Sequence, residues 1–367
     1  MTSIHDLARE TGVSTATVSR ALRGLPRVSE ETRAKVMDAA VRLGYVPSPH
    51  AVGLASGGQT RTVAIVVLFV TRWFFATVVH GAEQVLRERG YDVLLYNIGG
   101  DPDARRRVLL TQLVTKRADA LVVVGLGPTP DEVLWLSRHG MPVVTLGSRV
   151  PEWPSVRVDD DAVARTAVQH LLDLGHRRIA YVGQLSDEGL DLATPRARLE
   201  GYRATLRAAG IEPDPCLELE GHFTLEGGHD AGVEMLQRAG RPTAVFCASD
   251  EMAFGVMYAA KEAGVRVPED LSVIGVDDHE MAHYVGLTTI RQPVLQQGRV
   301  AARQILQLLE GKDRHAGGSR QGASAADDRP FGGSSDGAVV EHDEHVEHVE
   351  LPTELVLRTS TGPPPPE

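Results

Sequence analysis

A chain of 367 residues exceeds what one minimal core needs, so two or three packed units are expected. Hydrophobic residues at 42% and charged residues at 24% are ordinary globular values, and the longest apolar run, Val63 to Val70, is far too short to span a bilayer. A formal net charge of -11 argues against a nucleic-acid partner for the chain as a whole, because duplex DNA is a polyanion.

The charge is unevenly spread. Residues 1–60 carry seven basic groups (Arg9, Arg20, Arg23, Arg27, Arg33, Lys35, Arg42) against five acidic ones (Asp6, Glu10, Glu30, Glu31, Asp38), which leaves the acidic excess to the remainder. A mildly basic head on an acidic body suits a DNA reader whose body stays off the duplex. The start, Met1-Thr2-Ser3-Ile4-His5-Asp6, has no basic stretch, apolar run and cleavage site of the kind export uses, so a cytoplasmic, nucleoid-associated chain is expected. Cys216 and Cys247 lie far apart without metal-ligand spacing and read as small packed residues. Neither a metal nor a cofactor is implied.

In the head, Ser3 stands at an N-cap position with Asp6 three residues on, and Ile4, Leu7 and Ala8 form an apolar stripe, which predicts a helix ending near Glu10. Gly12 permits a tight left-handed turn, Ser14 caps a second helix, and Ala16, Val18, Ala21 and Leu22 form its inner side. Ser29 caps a third, with Glu30 and Glu31 over its positive end and Val36, Ala39, Ala40 and Leu43 inward before Gly44. This is helix-turn-helix spacing. In such a unit the second helix enters the major groove, where Thr15 and Ala16 can meet a thymine methyl and Arg20 can fork onto guanine. Ser14, Thr17, Ser19, Ser29 and Thr32 suit phosphate contacts, which set register without reading sequence. A small helical cap with no partner would carry the same capping signals.

The stretch SIHDLARETGVSTATVSRALRG followed by VSEETRAKVMDAAVRLGYVPS resembles the DNA-binding head of the LacI/GalR family along the first fifty residues. The resemblance implies a hinge helix over Ser48 to Ser56 and puts Leu54 where the family has a leucine that wedges into the minor groove. Ala51-Val52-Gly53 departs from the family's Ala-Arg-Ser, and Gly53 costs about 1 kcal/mol of helix propensity relative to alanine.

From Thr62 onward β-branched runs alternate with helical segments: VAIVVLF, ATVVHGAEQVLRERG, DVLLYN, a helix through Leu113, ALVVVG, PVVTLG, RIAYVG, TAVFCAS and LSVIGVD. Continuous apolar strands between amphipathic helices imply parallel sheets covered on both faces, and ligands of such folds bind beyond the carboxyl ends of strands. After the first strand come Arg72, Trp73, Phe74 and Phe75, able either to stack on a sugar ring or to pack inside a loop. Arg198 sits among several arginines, a pattern usual for a solvated helix face. Asp250 reads as a helix cap, whereas Asp277, at its own strand end, fits either a hydroxyl ligand or a cap.

This region is similar to the periplasmic-binding-protein-like core of the same family. Carried over by position, the resemblance makes Phe74, Phe75, Ser148, Arg198, Phe223, Ser249 and Asp277 ligand contacts, with Ser148 in place of a frequent aspartate and Ser249 in place of a frequent asparagine. A charged pair around an aromatic floor suits a polyol, because charged groups make strong directional hydrogen bonds to hydroxyls. The implied class is multidomain: an all-α helix-turn-helix head plus an α/β core of two doubly wound parallel-sheet subdomains. The expected division is 1–47 for the head, 48–60 for the hinge, 61–160 with 291–312 for the first subdomain, and 161–290 with 350–361 for the second. Residues 313–349 lack any period that could hold a core and are expected to be a disordered acidic insertion, its His342, His345 and His348 solvated rather than metal-binding.

The whole reads as a ligand-responsive repressor, binding a near-palindromic operator as a homodimer or higher oligomer and sensing a sugar or related polar metabolite. A transport receptor would predict an export signal and no helix-turn-helix. An enzyme would need a constellation that is missing here, since Gly125-Leu126-Gly127 is too fragmentary for a dinucleotide loop and neither a P-loop nor a nucleophile motif occurs.

Overall fold

The computed structural model describes residues 2–22, 26–45, 60–185, 192–317, 339–343 and 346–366. It has two compact units, Met1–Arg61 and Thr62–Glu367.

The first unit holds α1 (Ile4–Thr11), α2 (Thr15–Leu22) and α3 (Glu30–Arg42). Ser3 and Asp6 form the reciprocal capping box expected of them, and Gly12 ends α1 at φ 70°, where a side chain would be strained. Leu7, Val18, Ala21, Val36 and Ala40 make the core, with Val13, Leu22 and Val28 packed around it. Ala16 and Leu43 depart from their expected inward placement and are exposed, because Val18 and Ala21 already fill the side of α2 that meets α1 and α3. The hinge reading, Leu54 included, lies outside the described residues apart from Thr60.

The body begins with β1 (Thr62–Val67), α4 (Trp73–Glu88), β2 (Asp92–Asn97), α5 (Pro102–Leu109), α6 (Gln112–Thr115), β3 (Ala120–Val124), α7 (Pro130–Arg138), β4 (Val143–Leu146) and β5 (Ser155–Arg157). The single helix expected through Leu113 is thus two, parted at Leu110. The chain continues with α8 (Asp160–Asp173), β6 (Ile179–Gly183), α9 (Ala193–Ala208), β7 (Glu218–Glu220), α10 (Leu225–Gln237), β8 (Ala244–Cys247), α11 (Asp250–Glu262), β9 (Ser272–Asp277), α12 (Glu280–Val285) and β10 (Thr288–Arg291). Next come α13 (Val294–Gly317), β11 (Val339–Asp343), β12 (Val346–Glu350) and β13 (Glu354–Val356).

Two sheets result, ordered β11-β12-β5-β4-β3-β1-β2 and β13-β10-β9-β8-β6-β7. They are parallel except at β11–β12 and β10–β13. Ignoring the late additions at one edge, each sheet runs second, first, third, fourth, fifth, which puts a topological switch point between β1 and β3 and another between β6 and β8. Val63 to Val67 and Ala120 to Val124 are fully buried, as strands covered on both faces must be. Helix α13 packs on α4, β3, β4 and β5 in the first lobe, and α8 packs on α9, β8, β9 and β10 in the second. Among the described residues the chain therefore passes between lobes three times: after β5, after β10 and between β12 and β13.

The disorder expected of 313–349 does not hold for its described parts. Helix α13 continues to Gly317, and β12 pairs parallel with β5, His348 opposite Ser155. β5 has an open edge whose backbone groups need partners, and β12 satisfies them while burying His348 and Val349. His348 is therefore a packed residue rather than a solvated one, its Nδ1 2.8 Å from Ser155 Oγ. The sequence hides this strand among carboxylates. His345 and the side chain of His342 lie outside the described residues, and no metal-holding group occurs among those described. No helix among the described residues is long and apolar enough to cross a membrane.

Candidate functional site

In the head, α2 and α3 start in the same way. Ser14 accepts from the Thr17 amide at 3.2 Å and lies 2.9 Å from the Thr17 hydroxyl; Ser29 accepts from the Thr32 amide at 3.3 Å and lies 2.8 Å from the Thr32 hydroxyl. Each pair holds two hydroxyls over the partly positive end of a helix, an arrangement suited to a phosphate oxygen. Ser14, Ala16, Arg20 and Ser29 are exposed, and Thr15, Thr17, Ser19 and Thr32 are half-buried. None of the eight is lost to the core, and Ala16 and Arg20 keep open the face that a groove would meet.

In the body, a cavity of about 230 Å³ opens where the carboxyl ends of strands from both sheets meet. Leu68 and Phe69 follow β1, Gly125 follows β3, Gln184 follows β6 and Ser249 follows β8, so the wall is built at the two switch points. Phe74, Phe75, Arg198, Phe223, Ser249 and Asp277 all line it. Phe74 meets the more buried Phe75 edge-on, ring centroids 5.3 Å apart. Gly125, at φ 73°, makes room for them, because a Cβ there would stand 3.0 Å from the Phe75 ring.

Arg198 is 3% exposed, not on a solvated face. Its Nε and Nη2 reach Asp160 Oδ1 at 2.9 and 2.8 Å, and its Nη1 donates to the Ala248 carbonyl. The arginine-rich pattern misleads because α9 packs on α8, whose first residue is Asp160. Ser148 also differs from expectation. It is buried outside the wall and donates to the Leu126 carbonyl at 2.7 Å, while its neighbour Gly147 lines the cavity instead.

The helix cap expected of Asp250 belongs to Ser249, which accepts from the Met252 amide at 3.3 Å. Asp250 is wholly buried and accepts from Thr289 Oγ1 at 2.7 Å and from the His279 amide at 2.9 Å. Burial and nearby Asp277 push its carboxyl well up from the usual range. Asp277 accepts from Gln292 Nε2, and burial pushes it up to about 7 despite the opposing Arg198. The backbone here is strained, with Asp277 at φ 131° and Phe223 at φ 52°, as at sites whose surroundings over-determine a side chain's direction.

Other wall residues escaped the sequence reading: Asp160, Thr194, Glu251, Gln292 and Gln297. Three of them were open to the rule that singled out Asp277, since Asp160 comes soon after β5, Glu251 after β8 and Gln292 after β10. The lobes also touch directly. Trp73 Nε1 donates to Glu280 Oε2, and its ring lies 4.9 Å from the imidazole of His279, the residue whose amide holds Asp250.

A helix-turn-helix head joined to a two-lobed core with a polar interlobe cavity defines a class, the regulators built on a periplasmic-binding-protein-like core. Residues 3–48 match the model of bacterial regulatory proteins of the lacI family, and residues 168–324 match the periplasmic binding protein-like domain. The HTH-type transcriptional repressor CytR of Escherichia coli strain K12 is 35% identical over 323 residues, 87% of this chain and 92% of that protein. A crystal structure of the lac repressor dimer bound to operator and the anti-inducer ONPF superimposes with a TM-score of 0.75 at 26% identity, over 98% of this chain and 99% of that one. A LacI family regulator from Enterococcus faecium with bound ribose gives 0.64 at 28%, over 82% and 99%. The chain belongs to the LacI family of bacterial transcriptional regulators. It is a DNA-binding transcriptional regulator.

Proposed function

We propose that the chain represses transcription in the cytoplasm, on the nucleoid, as a homodimer on a near-palindromic operator, and that an effector in the interlobe cavity releases it. Thr15, Ala16 and Arg20 read base edges; Ser14, Thr17, Ser19, Ser29 and Thr32 hold phosphates; Leu54 wedges into the minor groove. Phe74 and Phe223 stack on the effector while Asp277 and Arg198 bind its hydroxyls. The observation that carries this reading is the convergence of Asp277, the Arg198–Asp160 pair and an aromatic floor on one cavity at both switch points, in a chain that also carries a head whose groove-facing residues stay open. For the dimer, Met281, Tyr284 and Val285 support it as an apolar strip exposed on α12, Tyr284 at 79%. Closure of the lobes on the effector would shift the two heads, and a coupling of about 1–3 kcal/mol would change operator affinity roughly 5- to 150-fold.

The test is fluorescence anisotropy of the full chain on genomic fragments and random competitor at modest ionic strength, with and without candidate sugars and nucleosides. Tight binding confined to particular fragments and weakened by one effector is expected. Arg20→Ala should lose roughly 1–3 kcal/mol of discrimination between operator and mutated operator. Equal retention of every fragment under all effectors would sink the reading, and uniform weakening by Arg20→Ala would make Arg20 a phosphate contact instead.

A further inference from the structure

The cavity wall holds two guanidinium groups in opposite circumstances. Arg198 is saturated: Asp160 Oδ1 takes its Nε and Nη2 at 2.9 and 2.8 Å, and the Ala248 carbonyl takes its Nη1. Arg72, at the start of α4, is half-buried in the same wall, its guanidinium carbon 3.9 Å from the centre of the Phe69 ring. That contact seats the cation and supplies no oxygen acceptor. Among the described residues Arg72 has no ion pair. Its charged neighbour is Glu251, whose carboxylate already accepts from the Trp73 backbone amide. Burial lowers the Arg72 pKa further than Glu251 restores it. A guanidinium has five N–H donors and keeps its charge at neutral pH, so one drawn partly out of water without a matching carboxylate has most to gain from a ligand oxyanion.

The wall carboxyls do not cancel this gain. Asp160 is neutralised by Arg198, and burial raises both Glu251 and Asp277, the latter to about 7, which weakens their charge towards an entering anion. Gly100 lies against the Phe69 ring, which a Cβ there would meet at 3.4 Å, and with Gly99 it keeps that part of the wall free of side chains.

We propose that Arg72 is a specificity-determining residue of the cavity and binds an anionic oxygen group, phosphate or carboxylate, carried by the effector. This rests on the effector-sensing reading above and narrows it to an anionic ligand. The guanidinium, seated on Phe69, meets the anion as a two-pronged, charge-assisted pair, and the partly dry wall makes that pair stronger than a surface bridge. A neutral counterpart of the same effector leaves Arg72 as unmatched as before, so the anionic group adds affinity that the rest of the cavity cannot supply.

The experiment is titration calorimetry of the full-length chain, Arg72→Gln and Arg72→Lys with matched sets: ribose and ribose 5-phosphate, glucose with glucose 6-phosphate and glucuronate, cytidine and its 5′-monophosphate. An anionic member of one set should bind at least about 10-fold tighter than its neutral counterpart, and the phosphate and glucuronate arms tell which anion it is. Arg72→Gln should weaken that ligand roughly 10- to 100-fold and leave the neutral counterpart within about twofold. Arg72→Lys, which keeps the charge and loses the fork, should fall between. A neutral member binding as tightly as its anionic partners, or more tightly, would overturn the proposal while leaving effector sensing intact. Equal weakening of both members by Arg72→Gln would overturn it as well and make Arg72 a packing group on Phe69. Silence with every set would defeat the sensing reading itself, and this inference with it.

Discussion

In the head, the hydroxyls of Ser14, Thr17, Ser29 and Thr32 stand at two helix starts over a core of five buried side chains. In the body, Asp160, Arg198 and Asp277 come together where two sheets end, each set in place by residues far along the chain. The first arrangement is local, because a serine three residues before a threonine caps its helix whatever the rest of the chain does. The second is tertiary, and its polar groups are costly unless all are present. Damage in the two places should therefore look different: losing a cavity member strands a buried charge, while losing a head residue removes packing from a small core.

Arg198→Ala tests the larger effect. It leaves the nearly buried Asp160 carboxylate without its cation, the Thr194 hydroxyl still donating to it, and takes a donor from the Ala248 carbonyl, which should cost about 3–5 kcal/mol of body stability and abolish the effector response. Denaturant unfolding of the variant would read the first, anisotropy the second. A loss below about 1 kcal/mol would mean that the pair is solvated in solution. In the head, Leu7→Ala removes a wholly buried side chain from a core too small to close over the gap, at about 2–5 kcal/mol. Operator binding should vanish while effector titrations stay as they were; a matching loss of effector affinity would break the independence of the two units.

The same contrast decides what could be read from the sequence. All three head helices, the Ser3–Asp6 box, the caps at Ser14 and Ser29 and the turn at Gly12 were legible, because capping and 3.6-residue periodicity act within a few positions. The alternation of strands and helices in the body was equally plain. Side-chain direction at strand ends was not. Arg196, Arg198 and Arg203 look alike in sequence, yet Arg198 is buried on Asp160 while Arg203 sits half-buried on Glu218. Asp250 and Ser249 are adjacent, and only the packing of α11 against β9 decides which one caps the helix and which is buried against Thr289. β12 escaped for the opposite reason: its residues have little apolar character, and the open edge of β5 supplies what they lack.

A third test sets the body against itself by pH. His176, buried, hydrogen-bonds Thr243, Ser272 and the Gly362 carbonyl, and His170 bonds Thr361, so the two rings pin the chain's last segment. Burial holds both below the ordinary histidine value. Below about pH 6.5 the unfolded chain therefore binds protons that the folded rings refuse, and stability is intact above that value and falls as pH drops through it, by up to about 1.4 kcal/mol per unit for each ring. Denaturant midpoints at pH 7.5 and 5.5 should fall less steeply for His176→Gln than for the unaltered chain. Identical slopes would show that another group carries the acid sensitivity.

The smallest effect separates position from direction. The family resemblance makes Ser148 an expected ligand contact by position; by direction it donates to the Leu126 carbonyl behind the wall. Ser148→Ala leaves that buried carbonyl one donor short, about 1 kcal/mol by unfolding, and removes nothing that faces the cavity, so effector affinity should stay within about twofold. Ser148→Asp is the sharper variant. It would put a carboxylate against a carbonyl oxygen and force the side chain to turn toward the cavity through the space that Gly147 leaves open, at φ 84°. Tighter effector binding by Ser148→Asp with no change in Ser148→Ala would mean that this place becomes a ligand contact only when its side chain is charged. Weaker binding by Ser148→Ala would mean that the serine already turns inward when the cavity fills.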